Sequence, residues 1–307
     1  MAVGCDRRPP ARLVNRSRLA ILSAIVALST GSGCRAEANH LDVRLRGKTV
    51  KVYTYEPRNC RPAALLIVFH GALRHAASAR DAAVKFARRH CMIVYAPQFS
   101  KAAFPNWKYQ GGGIAVRDRI AAEEDWTVWF AGDLMQWARK ASGQPRIPIY
   151  LFGHSAGAQY LSRVTAFAAP AEARRIVIAN PSTYVLPSLT EAAPYGFSGA
   201  ISENTAEARL RNYLSMPLTI FLGGADTGDE ELATSVAAER QGADRLTRGK
   251  RTFELARQVA ASRSWPFNWR VVITPGVGHD TSDMLNSPDA DEAFGFRSDE
   301  SPRSNGV

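Results

Sequence analysis

Ile147-Pro148-Ile149-Tyr150-Leu151-Phe152-Gly153-His154-Ser155-Ala156-Gly157 is the stretch that decides how this chain is read. Its first six residues are almost wholly apolar, the pattern of a strand covered on both faces. Its last five spell G-x-S-x-G, and residues 156–168 continue as a run of small residues with helical spacing. The string alone is weak, but a strand before it and a helix after it are the setting it requires. Glycines at 153 and 157 allow strand and helix to approach through a sharp turn. Ser155 is therefore predicted to stand at the strand end with its hydroxyl exposed. The competing reading is a glycine-rich tight turn with no chemistry.

A serine hydroxyl needs a base, and the base needs a third group to orient it. The chain has six histidines. His40 lies near the expected mature N-terminus, His75 and His90 flank a predicted helix at 76–89, and His154 reads as a structural neighbour of the serine. His70 is expected as a buried ring bridging backbone groups. His279, in Gly276-Val277-Gly278-His279-Asp280 directly after the apolar run 269–274, is the expected base. The acid should follow the preceding strand. There Pro217-Leu218-Thr219-Ile220-Phe221-Leu222 runs into Gly223-Gly224-Ala225-Asp226. Asp226 is favoured; Asp229 is its rival, and either could instead cap the next helix. Two backbone N–H groups are expected to face the developing oxyanion. One belongs to Ala156; the other belongs to Ala72 in Phe69-His70-Gly71-Ala72-Leu73, with Leu73 the alternate.

Residues 40–46 and 49–55 alternate apolar and polar side chains, as half-exposed strands do. Runs at 64–69, 92–96, 147–152, 175–179, 218–222 and 269–274 are apolar and predicted as buried strands, with helices predicted at 76–89, 125–141, 156–168 and 243–262. Strand and helix in turn mean an α/β fold with a mostly parallel eight-stranded sheet and helices on both faces. No repeat or linker divides residues 39–295, which read as one catalytic domain; the polar stretch 296–307 reads as a disordered tail. Residues 1–38 carry five arginines before a ten-residue apolar run and an Ala36-Glu37-Ala38 site, the layout of an export signal. Cys34 leaves lipoprotein processing open, and an N-terminal membrane anchor is the lesser reading. Cys60 and Cys91 precede two apolar runs; as neighbouring parallel strands these would bring the thiols to one sheet edge, as a disulfide or as two free thiols.

The formal charge is +11, of which the six arginines and two acidic residues in positions 1–38 supply four. The rest is spread without a like-charged run, so a nucleic-acid partner is not expected. No stable membrane span is expected in the mature chain. No His-Glu-x-x-His or similar ligand cluster appears, so no metal is expected either.

Phe-His-Gly at 69–71, Gly-His-Ser-Ala-Gly at 153–157, Gly-Gly-Ala-Asp at 223–226 and Gly-Val-Gly-His-Asp at 276–280 together resemble the α/β-hydrolase superfamily. The likeness covers residues 41–294 and is to its esterase type, as in secreted polyhydroxybutyrate depolymerases and feruloyl esterases. The resemblance implies a Ser-Asp-His triad in the order Ser155, Asp226, His279, hydrolysis of small or oligomeric carboxylic esters through an acyl-enzyme, and no cofactor. Two features depart from it: no stretch reads as an added polymer-binding domain, and the cysteines do not match a multi-disulfide esterase. A peptidase or amidase on the same triad, and a binding protein on the same fold, remain the alternatives. Residues 180–216 form too long a connection for a plain crossover and are expected as a lid or wall. Tyr184 from that segment and Trp107 from the preceding loop are the expected substrate-binding aromatics, core packing being the competing role for each.

Overall fold

The computed structural model describes residues 40–117 and 119–296. The expected export signal at 1–38 and the tail from residue 297 onward lie outside the described residues. The main sheet has eight strands: β1 (His40–Leu45), β2 (Lys48–Tyr55), β3 (Ala64–Phe69), β4 (Met92–Pro97), β5 (Ile149–His154), β6 (Ala173–Ala179), β7 (Leu218–Gly223) and β8 (Arg270–Thr274). Their order is β1-β2-β4-β3-β5-β6-β7-β8. β1 pairs antiparallel with β2 and β2 with β4; every other pairing is parallel.

The two sequence patterns sort the strands by position. β1 and β2 alternate because one face meets water, whereas β3, β4, β5 and β7 are buried at every residue. In β3, Leu65, Ile67 and Phe69 enter one core and Leu66 and Val68 the other. The first core is closed by α2 (Phe130–Ala141), α3 (Ala156–Arg163), α4 (Glu203–Ser215) and α5 (Arg245–Ser262). The second is closed by α1 (Ala76–Arg89), α6 (Thr281–Asn286) and α7 (Ala290–Phe294). Each fully buried Leu, Ile, Val or Phe removes enough apolar surface to stabilise the fold by about 1.5–3 kcal/mol. No helix among the described residues is long and apolar enough to cross a membrane.

Several expected boundaries move. The helix expected over 125–141 begins only at Phe130, because 123–129 is wound into two short 3-10 turns. Trp126 between them is extended, and the indole N–H groups of Trp126 and Trp129 donate to the Ala121 and Glu123 carbonyls. The helix expected over 156–168 is α-helical to Arg163 and then widens to a π turn, closed by Ala169 N–H to Val164 O at 3.0 Å. Phe296 stacks on His90 with ring centroids 4.2 Å apart, so it belongs to the ordered chain and not to the tail. Cys60 and Cys91 are joined as a disulfide, Cα to Cα 6.0 Å, at the edge where β3 and β4 begin.

Register then fixes where the loops emerge. Phe69 pairs with Gly153, His154 with Ala179, and Thr274 with Gly223. The loops carrying residues 70–75, Ser155, Asp226 and His279 thus leave one edge of the sheet, opposite the disulfide.

Candidate active site

Ser155 sits at φ 54°, ψ −117°, a left-handed conformation that a non-glycine residue adopts only when its surroundings impose it. Three contacts impose it. Its N–H donates to Ala179 O at 3.0 Å, its carbonyl accepts from Gln159 N–H at 3.0 Å, and strand and helix close on it from both sides. A Cβ on Gly157 would overlap the Phe69 carbonyl, and one on Gly153 would overlap the Gly157 carbonyl. Both glycines of the motif are therefore required by close backbone approach.

Asp226 is 3% exposed, and its Oδ2 accepts a hydrogen bond from His279 Nδ1 at 2.7 Å. A carboxylate oxygen can only accept, so the proton of neutral His279 is on Nδ1 and Nε2 carries the free lone pair. Asp229 is exposed and makes no such bond; the helical turn that follows, Val236–Glu239, is capped by Ser235 instead. The capping role expected for Asp229 is thus filled by another residue.

His279 is 28% exposed along its side chain and shares with Ser155 a cleft of about 620 Å³. The opposite wall is the 71–75 turn, where Gly71 lies against Ser155: a Cβ there would be 4.0 Å from that of Ser155. The turn is held rigidly. Arg74 N–H closes it onto Gly71 O at 3.1 Å, and the Arg74 guanidinium donates to Phe99 O, Phe104 O and Asn106 Oδ1 at 2.9–3.1 Å. His70 Nδ1 donates to Gly71 O and Nε2 accepts from Phe99 N–H at 3.0 Å. Burial drives the His70 pKa down to about 4, so the ring stays neutral and bridges backbone groups. Ala72 and Leu73 line the cleft, and Ala156 opens α3, where backbone N–H groups lack helical acceptors. His154 is buried beside His279, ring centroids 4.5 Å apart, and burial holds its pKa well below the usual value.

The expected aromatic wall is not there. Tyr184 is 0% exposed, packed among the first core's residues and against Gly249 of α5, and cannot meet a substrate. Trp107 is partly exposed but lines a different cavity. Residues 180–216 contribute nothing to the wall of the Ser155 cleft: Tyr184, Val185 and Phe197 are buried, and α4 packs on the sheet. Among the described residues, no group of three His, Cys, Asp or Glu is placed to hold a metal ion.

Comparison with solved structures places this architecture. LpqC, a poly(3-hydroxybutyrate) depolymerase from Bordetella parapertussis, superposes with a TM-score of 0.75 at 30% identity, covering 83% of this chain and 93% of that one. The chain is an α/β-hydrolase of the esterase type. Poly(aspartic acid) hydrolase-1 from Sphingomonas sp. KT-1 is similar at TM-score 0.73 and 31% identity, covering 80% of this chain and 95% of that one. No family model matches the chain. No curated protein matches it either.

Two residues of this α/β-hydrolase escaped the sequence reading. Arg245, 1% exposed at the start of α5, donates to the second oxygen of Asp226 at 3.3 Å and to the Gly228 carbonyl at 3.4 Å, fixing the carboxylate from behind. Asn180, at the end of β6 with φ 49°, accepts from Gly223 N–H at 2.8 Å and donates to Gly278 O at 3.3 Å. It ties the loop of Asp226 to the loop of His279, and the backbone bond from Ala225 N–H to Val277 O at 2.9 Å does the same. A polar residue directly after an apolar strand was the only sequence signal for Asn180; Arg245 left none.

Proposed function

We propose that this α/β-hydrolase cleaves carboxylic esters with Ser155 as nucleophile, His279 as general base and acid, and Asp226 as the group that orients His279. The observation that carries the reading is the His279–Asp226 bond beside a conformationally forced Ser155 in one open cleft. His279 Nε2 takes the Ser155 proton as Oγ attacks the ester carbonyl. Asp226 stabilises the imidazolium that results. The N–H groups of Ala72 and Ala156 receive the oxyanion, and the rigid turn means that little reorganisation is needed when the charge develops. The alkoxy group leaves with the proton from His279, and water then releases the acid from Ser155.

The cleft favours an uncharged substrate. Leu73 presents an exposed apolar side chain, and Glu231 and Asp280 bring carboxylates to the walls, while the Asp81 carboxylate is paired with Arg80 at 2.7 Å. The guanidinium of Arg74, which also lines the cleft, is committed to other groups. A polyanion such as poly(aspartic acid) would meet repulsion here, whereas a neutral ester would not. Export through residues 1–38 is part of the same reading, and the Cys60–Cys91 disulfide suits an oxidising destination.

The test is a panel of p-nitrophenyl and feruloyl esters of graded acyl length beside matched anilides and a succinate half-ester. Neutral esters are expected to turn over fastest, with the half-ester slower. Anilide turnover equal to that of the esters would replace the ester reading with an amidase.

A further inference from the structure

A cavity of about 330 Å³ lies between the 106–117 and 183–195 segments, and it shares no lining residue with the Ser155 cleft. Its floor is Gln159 and Arg163 of α3; its walls include Trp107, Pro194 and Tyr195. Arg163 is 1% exposed. Its guanidinium donates to Gln159 O, Thr183 O and Thr183 Oγ1 at 2.9–3.2 Å, all uncharged acceptors, while its Nε–H has no partner. The ring of Tyr195 lies 5.5 Å from it. A second cation, Arg117, stands at the same cavity, and no carboxylate is among the described lining residues. Gln110 contributes a buried Oε1 that accepts no hydrogen bond. A buried cation with no counter-charge is the arrangement that an entering anion relieves. The volume is that of a small-molecule site.

We infer that this cavity is a second ligand site, which takes a small aromatic hydroxycarboxylate. The carboxylate faces Arg117 and Arg163, the ring lies against Trp107 and Tyr195, and the hydroxyl donates to Gln110 Oε1. Gln159 connects the two sites, since its N–H bonds the Ser155 carbonyl and its Oε1 accepts from Thr183 Oγ1 at 2.9 Å.

Titration calorimetry of the full chain with 4-hydroxybenzoate, 4-hydroxybenzamide and benzoate tests this. One-to-one binding of 4-hydroxybenzoate is expected, about tenfold weaker for the neutral amide and weaker also for benzoate. Arg117→Gln and Trp107→Ala should each weaken it about tenfold, and Gln110→Ala should abolish the preference over benzoate. Arg117→Gln keeps the test open if Arg163→Gln fails to fold. Leu73→Asp, in the Ser155 cleft, should leave the affinity for 4-hydroxybenzoate unchanged. Equal affinity for acid and amide, no saturation by ~10 mM, or binding lost in Leu73→Asp and kept in Arg117→Gln would overturn the inference.

Discussion

Asp226 and Asp229 are three residues apart and differ in everything that matters to a triad acid. Asp226 is buried, bonded by His279 and backed by Arg245; Asp229 is exposed beside Glu230 and Glu231. Asp226→Asn is expected to lower kcat by about 10⁴-fold, the loss that follows when such an aspartate is neutralised and the imidazole takes the wrong tautomer. Asp229→Asn should leave kcat within about twofold, since surface substitutions change little. Steady-state kinetics on one ester settles the pair, and reversed effects would move the acid role. Position along the chain was enough to bring Ser155, Asp226 and His279 forward, because each lies in the short stretch that follows an apolar strand. Nothing local distinguished Tyr184 from an active-site aromatic: whether its ring enters the core or a cleft depends on Gly249, 65 positions away in the chain. Arg245 was equally hidden, as a charged residue in a helical stretch reads as solvated until the fold buries it.

At the scale of elements, the G-x-S-x-G turn works only while β5 and α3 touch the end of β3. Gly157→Ala would drive a methyl into the Phe69 carbonyl, which cannot yield without breaking the β3–β5 pairing. A destabilisation of about 3 kcal/mol, the upper end for overpacking, is expected in urea unfolding. A neutral outcome would show that this turn has more room than the contacts of Gly157 leave it. The disulfide sits at the other edge of the sheet and closes 31 residues, for which loop entropy gives about 3–4 kcal/mol. Cys60→Ser with Cys91→Ser should therefore lower Tm and leave kcat unchanged; a matching loss of kcat would tie that edge to the site. Strands were legible because burial on both faces leaves an unbroken apolar run. The start of α2 was not, because Trp126 and Trp129 fit a helical stripe by spacing while their indole N–H groups bond carbonyls just upstream.

For the molecule as a whole, two neutral buried histidines flank the cleft and set its acid tolerance. Their folded pKa values lie below that of an unfolded histidine, His70 at about 4, both through burial. As pH falls below about 6.5 the unfolded chain takes up protons that the native state refuses. Stability is thus full above that pH and is lost as pH falls toward 4, by up to about 1.4 kcal/mol per pH unit for each ring. Urea midpoints at pH 7, 6 and 5 should decline accordingly; about half the slope would mean that one ring takes up its proton in the native state, and a flat profile that both do. In the proposed mechanism one hydroxyl, placed by the turn between β5 and α3 and served by His279, carries the reaction. Intact-mass measurement with peptide mapping after a fluorophosphonate probe tests it most directly. A single adduct on Ser155 is expected in the wild type, slowed strongly in His279→Ala and absent in a folded Ser155→Ala protein that has lost ester turnover. Full labelling of Ser155→Ala, or an adduct mapped to any other residue with turnover intact, would contradict it.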